Sequence, residues 1–141
     1  MNRLTSEAIV ELDDDKMCFV CGQDNHGGLR LVFSLDRENK SLAADFTPAK
    51  TWQGYKDVVH GGIISAVLDE AMTKLAYSFG MNAVTGKLTV RFKKPLMVGE
   101  NVRVTGRILK ESGRTVEASA EAVKDDGTVV AEAEGLLVKV K

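Results

Sequence analysis

The residues with the clearest chemical promise are His60, Gly61 and Gly62, followed after six residues by Asp69, in the run DVVHGGIISAVLDEAM from Asp57 to Met72. Two glycines leave the first amide N–H groups of a helix unshielded by side chains. Together with the positive end of the helix dipole, such amides form a site for a carbonyl oxygen that becomes an oxyanion. Two turns along, the carboxylate of Asp69 can attack that carbonyl or activate water. The pairing suits acyl transfer. Plainer readings compete with it: the glycines permit a tight entry turn, Asp69 is an exposed helix acid, and His60 is a structural hydrogen-bonder.

The helix that must position these groups is predicted over about residues 61–79, with Gly80 closing it. At 100° per residue, Ile64, Val67, Leu68, Ala71, Leu75 and Phe79 share one arc, which reads as the core face. The opposite face carries Gly62, Ser65, Ala66, Asp69, Thr73 and Ala76, where a surface helix would show Lys, Glu and Gln. Small side chains let another backbone come close, so this face is expected to be covered by a partner subunit, with Asp69 in a tight, partly dry crevice. Only Glu70 and Lys74, at i,i+4 spacing, read as a solvated edge.

The bulk numbers bound the answer. A chain of 141 residues with 44% hydrophobic and 28% charged content reads as one globular domain. A formal net charge of -1 and a pI near 6.1 give no nucleic-acid footprint. The apolar runs fall short of the roughly 20 residues that span a bilayer, and the first residues hold no apolar core of signal-peptide length. A cytoplasmic protein is expected, without a membrane span. Cys18 and Cys21, in CFVCG, are too few ligands for a closed zinc site within one chain, and the loop-like GQDNHGGL that follows them is unlike the helix after a redox pair. Structural or incidental thiols lead, with intersubunit metal or redox chemistry as the alternative. No metal or other cofactor is expected.

Along the chain, residues 1–17 read as an N-terminal arm or short helix, with Thr5 or Ser6 as cap. LRLVFSLD and SLAADF read as two strands joined by RENK. After the helix, AVTGKLTVRF alternates Leu88, Val90 and Phe92 against Lys87, Thr89 and Arg91, and NVRVTGRIL alternates through Val102, Val104 and Ile108. ESGR and DDG are hairpin turns into two more strands. The expected class is α+β, one helix on an antiparallel sheet.

The run VVHGGIISAVLDEAM resembles the HGG-x6-D helix of hot-dog-fold acyl-CoA thioesterases, the PaaI-type branch of the 4-hydroxybenzoyl-CoA thioesterase superfamily. CFVCGQDNHGGLRL is similar to a C-x-x-C-G-x-x-N-x-x-G-L lead-in found in one subgroup, and TGKLTVRFKKPLMVGENV to a strand that ends in Pro and a Gly-acid turn. The likeness spans about residues 18–140. It implies a single hot-dog domain over 18–141, with a long central helix on a curved antiparallel sheet of about five to six strands.

The resemblance also implies roles. Asp69 would be the catalytic base or nucleophile, Gly61 and Gly62 the amide donors to the thioester carbonyl, and His60 an orienting residue. Thr85 matches a Ser/Thr position that helps place water. The site would be shared across a homodimer, or a dimer of such dimers. Many relatives carry Asn where this chain has Gly54, and Gln53 is the implied substitute. Glu70, Arg91, Lys93 and Lys94 are candidate substrate contacts, with Arg103 and Arg107 as further cations for coenzyme A phosphates. The acyl-CoA would be substrate, not cofactor. A non-catalytic acyl-CoA binder and a hot-dog hydratase/dehydratase are the competing functions.

Overall fold

In the computed structural model, which describes residues 12–140, one long helix lies against a six-stranded antiparallel sheet. The elements run β1 (Ser34–Asp36), β2 (Ser41–Phe46), a 3-10 turn (Lys50–Trp52), α1 (Gly61–Ser78), β3 (Ala83–Phe92), β4 (Val102–Ser112), β5 (Thr115–Lys124) and β6 (Val129–Lys139). Sheet order is β1-β2-β4-β5-β6-β3, with every neighbouring pair antiparallel. β3, the strand that follows the helix, forms one edge. This is the architecture the resemblance implied.

Strand alternation explains the layers. On β5, Val116, Ala118, Ala120 and Ala122 point inward and are at most 4% exposed, while Glu117 and Glu121 point out. Val102 and Val104 of β4 and Leu137 of β6 join them beneath α1. From the helix come Ile64, Val67, Leu68, Ala71, Met72, Leu75 and Ala76. Burying each of Leu68, Met72 and Leu75 contributes about 1.5–3 kcal/mol. The sheet meets these large side chains with alanine and glycine, so the helix sits very close: a Cβ on Gly106 would run into the backbone carbonyl of Ala71, and one on Gly135 would lie 3.0 Å from the Met72 sulfur.

The helix end follows its sequence. Phe79 is the C-cap, and Gly80 takes φ +79, so that its N–H reaches the Tyr77 carbonyl and the Met81 N–H reaches that of Ala76. Gly113 and Gly127, at φ +49 and +89, turn the two hairpins.

Several expectations need correction. Thr5 and Ser6 lie outside the described residues, and residues 12–17 form no helix. Strand pairing in LRLVFSLD is confined to Ser34–Asp36, because the Leu29 and Leu31 N–H groups bond the carbonyls of Phe19 and Val20 instead. Ala76, expected on the small-residue face, is buried in the core. Phe79 is only half-buried, with the Arg37 guanidinium 5.7 Å above its ring. Phe92, on the far end of edge strand β3, is 53% exposed. No helix among the described residues is long and apolar enough to cross a membrane.

Candidate active site

The two ends of α1 chemistry sit apart on one chain. At the helix start, His60 is the N-cap, and its Nδ1 accepts the Gly62 N–H at 2.8 Å. The Ile63 and Ile64 N–H groups bond the His60 carbonyl. Of the first four helix donors, only the Gly61 N–H lacks a partner among the described residues. Sequence reasoning offered both glycines, and the structure withdraws Gly62 because the histidine ring caps it. Nδ1 is thereby engaged as an acceptor, which leaves Nε2 as the ring nitrogen free to contact other groups. Gly61 opens onto a cleft of about 240 Å³ lined also by Ile64, Phe92, Lys93, Lys94 and Pro95.

Eight residues along, about 12 Å up the helix axis, Asp69 faces a larger cleft of about 730 Å³. Thr85 donates its hydroxyl to Asp69 Oδ1 at 2.5 Å, fixing one carboxylate oxygen. Both side chains are half-buried. The walls also include Asp13–Asp15, Met17, Cys18, Cys21, Glu70, Thr73, Lys74 and Tyr77.

Thr85 reaches Asp69 through a local irregularity. On a regular strand, Thr85 would share a face with Lys87 and Thr89 and point away from the helix. The β3–β6 register shifts between Thr85 and Lys87, at Gly86, so Ala83 and Thr85 face α1 before the bulge and Leu88 and Val90 face it afterwards. A Cβ at Gly86 would meet Val138 at 2.8 Å.

The approach loop is built by Gln53, whose Oε1 accepts the Asp57 N–H at 2.9 Å, and by Gly54, whose N–H bonds the Val58 carbonyl. A Cβ on Gly54 would rest 3.4 Å from His60 Cα, so a small residue there lets the cap ring pack. Of the candidate cations, Lys93 pairs with Glu132 at 3.3 Å and Arg91 lines a separate shallow cleft with Thr89 and Glu134. Arg103 is tied to Asp45 at 2.6 Å. Met72 is wholly core, Tyr55 is 89% exposed, and Tyr77 lines the Asp69 cleft.

Residues 56–131 match the Thioesterase superfamily. The chain belongs to that family. Acyl-coenzyme A thioesterase THEM4 of Mus musculus is 33% identical over 114 residues, which are 80% of this chain and 49% of that protein. A crystal structure of a thioesterase superfamily protein superposes with TM-score 0.78 at 26% identity, covering 83% of this chain and 60% of that one. A Streptococcus mutans protein solved with acetyl CoA superposes with TM-score 0.72 at 19% identity, covering 79% and 88%, a likeness of hot-dog fold. This superfamily member spans about half the length of the mammalian acyl-coenzyme A thioesterases it matches.

Two features of the cleft in this thioesterase-superfamily chain escaped sequence reasoning. Glu70 does not stand on a solvated edge: it is half-buried, and its Oε2 accepts the Cys21 thiol at 3.1 Å. Burial pushes the Cys21 thiol up to about 12, and the Glu70 carboxylate pushes the same way, so the sulfur is a neutral donor. The i,i+4 spacing with Lys74 hid a contact that spans 49 positions. The lead-in cysteines border the same cleft as Asp69, which the loop-like residues after them gave no means to foresee.

Proposed function

We propose that this superfamily member hydrolyses an acyl-CoA thioester to the free acid and CoA, with Asp69 as the acidic catalytic residue. The Asp69–Thr85 hydrogen bond at 2.5 Å, in a cleft large enough for an acyl group, carries the reading. Thr85 holds one carboxylate oxygen, which leaves the other for a water or the thioester carbon. Gly61 supplies the amide to the carbonyl oxygen. Acyl-CoA is substrate, and the hydrolysis takes no metal or other cofactor.

The site is shared between two copies. Within one chain, Gly61 and Asp69 open onto different clefts, so each chain holds two half-sites. β3 is a ten-residue edge strand whose Phe92 end lies beside Gly61 and whose Thr85 end lies beside Asp69. Antiparallel pairing of β3 with β3 of a second copy sets the Gly61 end of one against the Asp69 end of the other. Charge agrees with this division: the Asp69 cleft carries Asp13, Asp14 and Asp15, a poor seat for phosphates, whereas the Gly61 cleft carries Lys93 and Lys94. The CoA moiety enters at the Gly61 side and the acyl group points to Asp69. The exposed Val84, Phe92 and Leu136 fit the same buried pairing. A homodimer, alone or paired again as a tetramer, follows, and the adjacent thiols of Cys18 and Cys21 suit the cytoplasm.

The test is thiol release across a panel of acyl-CoAs, comparing the natural protein with Asp69→Asn. A loss of about 10²–10⁴ in kcat, with ester binding kept, supports the reading. Equal turnover by the variant, or none by the folded natural protein, overturns it.

A further inference from the structure

We propose that Cys18, Cys21 and Glu70 form a Zn²⁺ site that ties the lead-in turn to α1 beside the Asp69 cleft. The two sulfurs and a Glu70 oxygen all lie within 4.8 Å of one another, and all three residues are half-buried. The donors come from two independently held pieces of structure. Glu70 stands on the third turn of α1, whose neighbours are packed into the core.

The cysteine turn is shaped as a chelating hairpin. The Cys21 N–H lies 3.5 Å from Cys18 Sγ, and the Gly22 N–H bonds the Cys18 carbonyl at 2.9 Å. The chain folds back so tightly that a Cβ at Gly22 would run into the Cys18 backbone and lie 2.6 Å from the Lys16 carbonyl. That is why CxxC is followed by glycine. Asn25 Nδ2 bonds the Met17 carbonyl at 3.1 Å, and Gln23 Nε2 bonds the Cys21 carbonyl at 3.2 Å, so the turn is braced from behind. These contacts aim both sulfurs at the helix.

The ion class follows from the donors. Zn–S of about 2.3 Å and Zn–O of about 2.0–2.2 Å in a tetrahedron put donors about 3.5–3.8 Å apart, within the reach seen here. Two soft thiolates exclude calcium and magnesium. On binding, the Cys18 and Cys21 thiols each lose a proton to solvent, and the ion takes the place of the Cys21 proton now given to Glu70. Three donors from the described residues leave room for water in the coordination sphere. Lys74, in the same cleft, offsets part of the net negative charge of the ligand set.

The proposal stands apart from the hydrolase reading, and its readout is binding. Full-length reduced protein, stripped with a chelator, is titrated with Co²⁺ and then Zn²⁺. Expected are thiolate-to-cobalt charge-transfer and tetrahedral d–d bands that saturate at one equivalent per chain and vanish on Zn²⁺ addition, with about two protons released. Cys18→Ser and Cys21→Ser abolish the charge-transfer bands. Glu70→Gln keeps the fold and weakens binding by at least the roughly 10–100-fold that lost supporting groups cost. Absence of thiolate charge transfer overturns the site. So does an unchanged Glu70→Gln affinity, or saturation at half an equivalent, which would mean cysteines of two chains sharing one ion. Circular dichroism of each variant separates lost binding from lost fold.

Discussion

Replacing Gly61 with proline tests the amide at the helix start without dismantling the helix. Proline at the first helical position is well tolerated, because its missing N–H is one that has no helical partner there. The residue before it must be extended, and His60 already sits at φ -60, ψ 129. The added Cβ would lie 3.4 Å from Phe92 Cζ, at the tip of a half-exposed ring that can give way. The fold should therefore survive while the first-turn donor that has no partner among the described residues disappears. Losing one oxyanion donor costs about 10²–10³ in kcat, about 2.7–4 kcal/mol. Gly61→Ala is the control, since it adds the same Cβ and keeps the N–H. Thiol release measured on both variants decides the matter. If Gly61→Pro turns over as fast as Gly61→Ala, the Gly61 amide is no oxyanion donor. A mixture adds a second test. In the proposed shared-site dimer, one Gly61→Pro chain paired with one Asp69→Asn chain would concentrate both defects in one site and leave the other intact. An equal random mixture should regain roughly a quarter of natural activity. No regain would place Gly61 and Asp69 in the same site of one chain.

Three further outcomes follow from the geometry. Thr85→Val removes a hydroxyl-to-carboxylate bond of about 1.5–3 kcal/mol, so kcat should fall about 10- to 100-fold while Thr85→Ser stays near natural; equal losses in both would deny the hydroxyl its role. Gly106→Val drives a side chain into the Ala71 backbone and should destabilise the protein by about 3 kcal/mol or more, read as a lowered urea midpoint; an unchanged midpoint would mean the helix does not rest on β4 there. Glu100 is held below its ordinary value of 4.5, first by the Met97 N–H and then by Lys124. A depressed carboxylate gives stability that is present above its unfolded value and lost as pH falls through the folded one. Urea midpoints of the natural protein should therefore drop on the acid side of 4.5 more steeply than those of Glu100→Gln, and parallel curves would refute the assignment.

What the sequence disclosed and what it hid divide along a physical line. Local rules carried the helix bounds, the Gly80 stop and both glycine hairpins, because each depends on a few adjacent residues. The pairing limits of LRLVFSLD were hidden, since the competing partners, Phe19 and Val20, come from a loop with no strand pattern of its own. The Gly62 cap was hidden because a histidine ring bonding back to the second amide beyond it is a rotamer choice, absent from spacing. Glu70 was misread for the opposite reason: a local i,i+4 rule spoke for Lys74, and a partner 49 positions away prevailed.

Gly86 shows how the two kinds of information meet at the Asp69 carboxylate. Period-two alternation from Leu88 and Val90 turns Thr85 outward, whereas the resemblance needs Thr85 at Asp69, so the two expectations conflict on a regular strand. One extra residue in β3 resolves the conflict, since a single-position slip inverts every side chain beyond it. The slip is kept in place because only a residue without Cβ clears Val138 at the bulge, and because Ala83, Leu88 and Val90 all gain burial from it. Core packing on both sides of Gly86 thus fixes the phase of the strand, and that phase sets the 2.5 Å contact on which the hydrolytic reading depends.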